Sequence, residues 1–326
     1  MSFPRTALGF FPTPVTDLTR LSRVLGGPKL FIKRDDQTGL ALGGNKTRKL
    51  EFLVGEAIDQ GCDTVITGGA MQSNHCRQTA AAAAATGLHC HLVLGGEAPD
   101  RSEGNLLLDE VLGATLHWAG PMRKGETIPA LAEMLRNEGR NPYIIPYGGS
   151  NAVGARGFVA AMGELRGQIE AGLPAPTHVV FASSSGGTHA GMIVGARAFG
   201  IEAEIIGIGI DKDAPRDEES LAGFIHHLSV DVAADYGFSE TIAPGDVILD
   251  DSFIGEGYGV VGDLEKEAIN LLARSEGILV DPVYTGRAFG GLVALVRNGR
   301  FGPNDRVLFW HTGGAPALFA YGDKLV

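Results

Sequence analysis

Short runs of β-branched and other aliphatic residues alternate along this chain with longer segments of helical periodicity. The predicted strands are residues 64–67, 91–94, 143–146, 179–182, 205–210 and 307–310. The predicted helices are residues 46–60, 75–86, 105–112, 128–138, 188–199 and 264–275. Parallel strands need long crossover connections, usually helices, so this alternation predicts an α/β fold with parallel-rich sheets flanked by helices.

The composition limits the classes of function that the chain can have. Its 326 residues suffice for two domains that share a cleft, and a hydrophobic content of 44% supplies a core without a disulfide or a metal. The net charge of −11 argues against a nucleic-acid partner. There is no secretory signal or membrane-spanning stretch, and the three cysteines lack CxxC spacing. These features predict a cytoplasmic protein with no metal site and no membrane partner.

The segment GGNKTRKLEFL, residues 43–53, places Lys46 at the start of a predicted helix. The neighbouring cations Arg48 and Lys49 and the positive end of the helix dipole both lower the pKa of such a lysine. A lysine that loses its proton near neutral pH can form a Schiff base with an aldehyde cofactor. The alternative is a solvated basic helix face, which this segment alone does not exclude.

The segment GGAMQSNHCRQ, residues 68–78, connects a predicted strand to an alanine-rich helix. Free backbone N–H groups and the helix dipole make such a turn a site for a carboxylate or a phosphate. Ser73 and Asn74 add side-chain donors, and His75 carries an imidazole that can titrate near neutral pH. The alternative is an ordinary N-cap by Ser73 or Asn74, which is compatible with a binding role.

The segment SSSGGTHAG, residues 183–191, also lies between a predicted strand and a predicted helix. Its small residues allow a phosphate to touch the backbone, and the helix N-terminus supplies positive potential. It matches neither GxxxxGK[ST] nor GxGxxG, so ATP and dinucleotides are disfavoured as ligands. A flexible serine-glycine linker is the alternative, but the apolar strand and helix on either side argue against it.

A third group of loops contains two tyrosines and two Gly-Gly turns. Tyr284 and Thr285 lie in ILVDPVYTGRAFGGL, residues 278–292, and are predicted to follow a strand. We group with them GEGYGV, residues 255–260, which carries Tyr258, and WHTGGAPALF, residues 310–319. Ordinary turn chemistry accounts for any one of these loops. Together with the lysine and the phosphate loop, they predict a cofactor pocket.

These motifs occur along the chain in the same order as in a known protein family. The strings GGNKTRKLEFL, QSNH, SSGGTHAGM, DPVYTG and HTGG resemble, in sequence and in order, the D-cysteine desulfhydrase/1-aminocyclopropane-1-carboxylate deaminase family. Members of that family are pyridoxal 5′-phosphate enzymes of fold type II, which are similar to the tryptophan synthase β subunit. The resemblance extends from about Phe10 to the C-terminus, so it implies this two-lobed fold and this cofactor for nearly the whole chain.

The resemblance implies roles for individual residues. Lys46 would bind the cofactor as a Schiff base and, once released by the substrate, act as the general base. The other implied cofactor contacts are Asn74 at the ring hydroxyl, Tyr284 near the pyridine ring, Thr285 at its nitrogen, and Ser184, Ser185, Gly186, Gly187 and Thr188 at the phosphate. The implied substrate contacts are Ser73, Asn74, His75 and Thr312, and the candidates for proton transfer are Ser73, Tyr258 and Tyr284.

Two threonines distinguish between branches of this family. Members that open the cyclopropane ring typically carry glutamate after the DPVY tyrosine and leucine after the C-terminal histidine, whereas this chain has Thr285 and Thr312. A carboxylate keeps the pyridine nitrogen protonated, and a threonine hydroxyl does not supply that charge. The desulfhydrase branch is therefore favoured over the deaminase branch.

The predicted reaction is an α,β-elimination on a small β-substituted amino acid. D-Cysteine, which would yield pyruvate, ammonia and sulfide, is the leading substrate, and L-cysteate with release of sulfite is the alternative. A sulfonate would need further cationic or N–H donors, for which His75 and the HTGG turn are candidates. A cyclopropane-opening deaminase and a non-catalytic carrier or sensor of the cofactor are the remaining alternatives. The choice between D and L substrates depends on geometry that the sequence does not give.

The resemblance also implies an architecture. A small domain of residues 50–156 would lie against a large cofactor-binding domain of residues 1–49 and 157–326. The cofactor would lie between them, where the loops at the carboxyl ends of parallel strands meet. Glycine-rich segments at residues 40–45 and 148–157 are the candidate crossings between the lobes. Family members are commonly homodimers, so a homodimer is expected.

Overall fold

The computed structural model of the chain describes residues 3–212 and 220–325. The strands in this part of the chain are β1 (Val15–Asp17), β2 (Lys29–Arg34), β3 (Thr64–Ala70), β4 (His89–Gly95), β5 (Thr115–Trp118), β6 (Pro142–Ile144), β7 (His178–Ser183), β8 (Glu204–Gly209), β9 (Ile248–Asp250) and β10 (Arg306–His311). They form a six-stranded sheet in the order β1-β2-β10-β7-β8-β9 and a four-stranded sheet in the order β5-β4-β3-β6. All pairs are parallel except β1 with β2.

Helices connect the strands and cover both sheets. In the described residues they are α1 (Thr19–Leu25), α2 (Lys46–Asp59), α3 (Asn74–Thr86), α4 (Gly104–Val111), α5 (Ile128–Asn137), α6 (Ala152–Glu170), α7 (Gly187–Ala198), α8 (Leu221–Asp235), α9 (Asp263–Glu276), α10 (Thr285–Arg297), α11 (Pro316–Ala320) and α12 (Gly322–Leu325). The fold is therefore α/β with parallel-rich sheets flanked by helices, as predicted. None of these helices combines the length and the apolar character that crossing a bilayer requires.

The six-stranded sheet is buried on both faces. Side chains alternate along a strand, so Val179 and Phe181 of β7 enter a core with α6, α7 and α8, while Val180 enters a second core with α9 and α10. The four-stranded sheet is covered in the same way. Val65 of β3 packs with α2 and α3, and Ile66 packs with α5. This two-sided burial explains why the central strands are continuous apolar runs without alternation.

Every predicted strand and helix overlaps an observed one, but two local predictions are wrong. Residues 148–157 are predicted to be a turn-rich crossing between the lobes, but the turn ends at residue 151, because α6 begins at Ala152. Gly157 in α6 is a contact position, because a Cβ there would lie 2.3 Å from the Arg48 carbonyl oxygen in α2. The strand expected before Tyr284 is absent from residues 278–283. Tyr284 is instead the N-cap of α10, and Thr285 is the first residue of that helix.

The predicted division into lobes follows the two sheets but stays a proposal. The four-stranded sheet lies within residues 50–156, and the six-stranded sheet lies within residues 1–49 and 157–326. Both boundaries fall in helices, since residue 50 is in α2 and residue 157 is in α6, and these helices pack against each other. Residues 1–2, 213–219 and 326 of the predicted large domain lie outside the described residues.

Candidate active site

A cleft open to solvent lies where the carboxyl ends of parallel strands meet. Its lining comes from the end of β7 and from loops and helix starts that follow strands of both sheets, among them three loops that the sequence analysis singled out. The lining residues are Asn45, Lys46, Ser73, Asn74, His75, Tyr147, Gly148, Ala182, Ser183, Ser184, Ser185, Gly186, Thr188, His189, Tyr284 and Thr312. Most of the predicted site residues therefore meet in one place, although they are distributed over almost the whole sequence.

Lys46 is the first residue of α2 and is half-buried in the wall of the cleft. Desolvation lowers its pKa to about 8. The direction agrees with the sequence-based expectation, but the cause differs. The nearby Arg48 cation is neutralised by Asp35 and Glu164, at 2.8 and 2.9 Å, so it does not act on Lys46 as an unpaired charge.

The turn before Lys46 packs closely against the HTGG turn. The Asn45 N–H donates to the Thr312 carbonyl at 3.0 Å. Gly44 has φ of 130° and Gly313 has φ of 96°, and a Cβ on Gly313 would lie 2.7 Å from the Gly44 Cα. Only glycine permits this approach of two backbones. The contact fixes Thr312 beside Lys46, and both side chains line the cleft.

Ser73 is the N-cap of α3, and its Oγ accepts a hydrogen bond from the Cys76 N–H at 3.2 Å. The capping interpretation is thus correct, and it is compatible with donation to a ligand, because the cap uses the oxygen of the hydroxyl and not its hydrogen. Asn74 follows as the first residue of the helix and lines the cleft. The α3 N-terminus therefore directs N–H groups and two polar side chains at the same space.

His75 is held in one neutral tautomer. The Thr67 hydroxyl donates to the Ile145 carbonyl at 2.9 Å, so its oxygen can only accept from His75 Nε2, at 2.9 Å. His75 Nδ1 is then an unprotonated acceptor, and it has no hydrogen-bond partner in the described residues. Burial, together with the cations Lys46 and Lys49, keeps the His75 pKa well below its ordinary value. The expectation that this imidazole titrates near neutral pH is therefore wrong.

The loop before α7 forms a cradle around a helix N-terminus. Ser150 Oγ accepts from the Gly187 N–H at 3.1 Å and from Lys49 Nζ at 3.2 Å, and it donates to Ser185 Oγ at 2.8 Å. A Cβ on Gly187 would lie 2.9 Å from Lys49 Nζ. Asn45 Nδ2 donates to Thr188 Oγ1 at 3.2 Å. The sequence analysis did not identify Ser150 or Lys49 as part of this site.

These residues fit a phosphate monoester. The α7 N-terminus supplies N–H groups and positive potential, Ser185 and Thr188 supply hydroxyls, and Gly186 and Gly187 leave the backbone accessible. Lys49 is fully buried, and burial followed by the charge on Lys46 holds its pKa well below the ordinary value. An anion in the cradle would restore its charge, because opposite charges favour the ionised form.

Tyr258 and Tyr284 form a hydroxyl–hydroxyl hydrogen bond, with ring centroids 5.7 Å apart. Burial raises the pKa of both phenols well above the ordinary value, so both stay protonated at neutral pH. The Arg123 guanidinium lies 4.6 Å from the centre of the Tyr258 ring and forms an ion pair with Asp211 at 2.6 Å. Tyr284 lines the cleft directly, and Tyr258 reaches it through this hydrogen bond.

A buried arginine holds the loop that carries Tyr258. Arg287 donates to the carbonyls of Gly257 and Val260 at 2.9 and 2.7 Å. Its Nε donates to Glu265 at 2.6 Å. Sequence reasoning missed Arg287, and its position directly after the DPVYTG string was the only signal available. The loop and the tyrosine are thus anchored to α10.

Thr285 and Thr312 have different environments. Thr285 is fully buried, and its hydroxyl donates to Asp281 at 2.7 Å. Asp281 also accepts the N–H groups of Val283 and Tyr284, each at 2.9 Å, so its carboxylate organises the start of α10. Of the two threonines, Thr312 lines the cleft.

Comparison with known proteins relates the chain to enzymes with the predicted cofactor. The sequence pattern of the family described as pyridoxal-phosphate dependent enzyme matches residues 6–313. The D-cysteine desulfhydrase of Salmonella newport (strain SL254) is 42% identical over 98% of this chain and 96% of its own length. The protein of the same description from Salmonella heidelberg (strain SL476) is equally similar.

Solved structures agree with this relation. A crystal structure described as an ACC deaminase homologue superimposes with a TM-score of 0.90 and is 38% identical, over 99% of this chain and 96% of that one. Threonine deaminase isoform 2 from Solanum lycopersicum superimposes with a TM-score of 0.65 at 18% identity, over 96% of this chain and 82% of that one. The second likeness concerns the fold alone.

Proposed function

This chain belongs to the pyridoxal-phosphate dependent enzyme family, and from this membership we propose that it eliminates hydrogen sulfide from D-cysteine. Water consumed in the overall reaction balances the release of pyruvate, ammonia and hydrogen sulfide. The observation that carries the proposal is the cleft itself, where Lys46 with its lowered pKa lies together with a phosphate cradle. Identity of 42% to D-cysteine desulfhydrases over nearly the full chain supports this choice of reaction.

Lys46 would bind the cofactor aldehyde covalently and, after the substrate amine has displaced it, accept the substrate α-proton at Nζ. A pKa of about 8 leaves a useful neutral fraction near pH 7, as both tasks require. The bound pyridine ring would withdraw electrons from the substrate α-carbon. Ser185, Gly186, Gly187 and Thr188 would hold the phosphate, with Lys49 as its buried counter-charge.

The α3 N-terminus would bind the substrate carboxylate. The Ser73 hydroxyl would donate to the carboxylate while its oxygen accepts from the Cys76 N–H, and the first N–H groups of the helix lie at the same end of α3. His75 would not donate to the carboxylate from Nδ1, because that atom is unprotonated. We propose instead that His75 accepts a hydrogen bond from a donor in the cleft. Asn74 would contact the ring oxygen of the cofactor.

The two tyrosines would supply the proton that the departing sulfur needs. Both phenols are protonated at neutral pH, and the hydrogen bond between them allows Tyr258 to replace a proton that Tyr284 gives up. Thr312 is better placed than Thr285 to contact the pyridine nitrogen, because Thr285 donates to Asp281. The role of Thr285 would then be to orient the start of α10.

The neutral His75 also bears on the alternative substrate. A sulfonate leaving group needs cationic or N–H donors near the β-carbon, and His75 supplies no cation there. D-Cysteine is therefore preferred to L-cysteate. The preference for the D substrate rests on the relatives named D-cysteine desulfhydrase.

The test is a substrate comparison on protein loaded with pyridoxal 5′-phosphate. We expect sulfide and pyruvate from D-cysteine in equal amounts, at least about 100-fold faster than sulfite from L-cysteate or ammonia from 1-aminocyclopropane-1-carboxylate, a margin that differential transition-state binding can supply. In Lys46→Ala the absorption band of bound cofactor and turnover should both disappear. Lys29→Ala, which changes an exposed lysine, is the control. Sulfite as the main product would overturn the assignment.

We further propose a cytoplasmic homodimer. The three cysteines are free thiols, as is usual in a reducing compartment. Phe10 and Leu42 are large apolar side chains that are 77% and 61% exposed near the turn before Lys46, which suits contact with a second copy. Light scattering during size-exclusion chromatography would measure the mass, and a monomer at micromolar concentration would contradict this proposal.

A further inference from the structure

We propose that Asn105 and Arg77 are positioning residues that turn the side-chain amide of Asn74 so that its N–H₂ group faces the cofactor ring. The proposal rests on the role given to Asn74 above. Asn105 is on α4 and Arg77 is on α3, and neither residue lines the cleft. Both would act through Asn74.

The orientation of the Asn105 amide follows from its contact with Arg77. Arg77 Nε donates to the Asn105 side chain at 2.7 Å. A guanidinium has only donors, so the Asn105 atom at this contact must be the oxygen. The other end of the amide is then the N–H₂ group. It donates to Asn74 Oδ1 at 2.9 Å and to the Gln72 carbonyl at 3.0 Å.

The orientation of Asn74 follows in turn. Its Oδ1 accepts from Asn105, so Nδ2 is the polar atom of this amide that remains for the cleft. Nδ2 makes no hydrogen bond to the part of the protein that the structure describes, and Asn74 lines the cleft. A donor in this place suits an oxygen that carries negative charge, such as the ring oxygen of the cofactor.

Burial makes the arrangement hard to reverse. Arg77 and Asn105 are both fully buried. A rotated Asn105 amide would direct its N–H₂ group at the Arg77 guanidinium, and a buried contact between two donors is unfavourable. Asp109 on α4 does not replace Asn105 as the hydrogen-bond partner of Arg77, because its carboxyl oxygens have no hydrogen-bond partner in the described residues. Burial raises the Asp109 pKa to about 8, although the charge on Arg77 acts in the opposite direction.

Arg77 connects this amide to the turn that delivers Lys46. Its terminal nitrogens donate to the carbonyl of Gly43, at 3.0 Å, and to that of Ala41. Ala41 and Leu42 have φ of 40° and 69°, a left-handed conformation that non-glycine residues rarely adopt. The buried Arg77 guanidinium thus holds both the strained turn before Lys46 and the side-chain amide of Asn105.

The test compares Asn105→Asp with Glu110→Gln, in protein loaded with pyridoxal 5′-phosphate. Asp at position 105 keeps an acceptor for Arg77 but has no hydrogen to donate, so Asn74 should rotate and present its oxygen to the ring. The readout is the pH midpoint of the absorption change of the bound cofactor, which needs no turnover. In Asn105→Asp we expect this midpoint to rise by about one pH unit, since a donor to a charged oxygen is lost.

Glu110→Gln is the matched control, because it changes an exposed carboxyl group on the same helix whose side chain hydrogen-bonds Ser102 and not Asn74, Arg77 or Asn105. Its midpoint should equal that of the unchanged protein. An unchanged midpoint in Asn105→Asp would overturn the proposal. Protein that shows the cofactor band but releases no sulfide from D-cysteine would contradict the proposed function alone.

A second measurement needs no cofactor at all. In the cofactor-free protein, Asn105→Leu leaves Arg77 Nε without its acceptor, whereas Asn105→Asp retains one. We expect Asn105→Leu to melt at least about 2 °C below Asn105→Asp. Equal melting temperatures would show that Arg77 does not depend on this contact, and the network would then be rejected.

Discussion

Burial, more than neighbouring charge, sets the protonation of the residues around the cleft. Lys46 and His75 are shifted toward their neutral forms, and Tyr258 and Tyr284 retain their protons. A site with few ionised side chains of its own is suited to a charged ligand, because fixed polar groups act strongly where water is excluded. At the scale of single residues, the fixed polar groups favour binding of an anion, and the neutral form of Lys46 favours reaction with an aldehyde.

The pKa of Lys46 predicts how the cofactor-free protein takes up pyridoxal 5′-phosphate. Only the neutral amine attacks an aldehyde, and a pKa lowered to about 8 means that this form falls about tenfold for each pH unit below 8. The rate of appearance of the cofactor band should rise with pH through a midpoint near 8 and then level off. Stopped-flow absorbance measures this rate. A rate still rising tenfold per unit at pH 9 to 10 would indicate an ordinary lysine.

At the scale of elements, glycines in helices decide how closely the layers approach. In α6, Gly157 faces the α2 backbone, and in α7 a Cβ on Gly191 would lie 2.4 Å from the Ala155 carbonyl oxygen of α6. Helix α2 begins with Lys46, and helix α7 begins at the phosphate cradle. Close packing of α2, α6 and α7 therefore holds the two sides of the cleft in a fixed geometry.

Gly157 and Gly167 give a matched pair of variants on α6. Gly157→Ala places a methyl group 2.3 Å from a backbone oxygen, so the helices must separate, and we expect the free energy of unfolding to fall by about 2 kcal/mol or more. Gly167 has nothing within 4 Å of a Cβ, so Gly167→Ala should be neutral or stabilise by up to about 1 kcal/mol. Denaturant titration measures both values. Similar values for the two variants would contradict the packing argument.

At the scale of the whole molecule, one carboxylate joins segments that are far apart in the sequence. Glu164 of α6 accepts hydrogen bonds from Arg48 of α2, Lys33 of β2 and the Thr13 N–H of the N-terminal segment. Although burial opposes its ionisation, Arg48 and Lys33 lower the Glu164 pKa from its ordinary 4.5 to about 2. The carboxylate therefore links the six-stranded sheet to the helix that begins with Lys46.

The Glu164 pKa predicts part of the acid unfolding of the protein. Its folded-state pKa lies below the unfolded value, so the stabilisation is present above about pH 4.5 and is lost as the pH falls toward 2. Glu164→Gln should lower the free energy of unfolding at pH 7, because Arg48 and Lys33 lose a buried counter-charge. It should also flatten the decline of stability between pH 4.5 and 2. Equal slopes in this range would show that other carboxylates govern it.

The sequence by itself determined the local parts of this protein. Continuous runs of β-branched and other aliphatic residues located the strands, because strands buried on both faces are apolar throughout, and the 3.6-residue period of a buried face located the helices. The motifs identified Lys46 and the loop before α7, since strand, glycine turn and helix start follow one another along the chain. The glycine-rich start of α6 was misread, because a glycine needed for close packing is indistinguishable in sequence from one needed for a turn.

The tertiary structure decided what these parts do to one another. Lys49 meets Ser150 across about a hundred residues, at 3.2 Å, and Asn105 meets Asn74 from a different helix. No local pattern encodes such contacts, because they depend on how the sheets and helices pack. The same packing removes water from Lys46 and His75 and so lowers their pKa values. From the sequence, the Lys46 pKa was expected to be lowered by neighbouring charges and the helix dipole, and the His75 pKa was expected to be ordinary. Desolvation is a property of the assembled cleft, and the sequence carries it only through the fold.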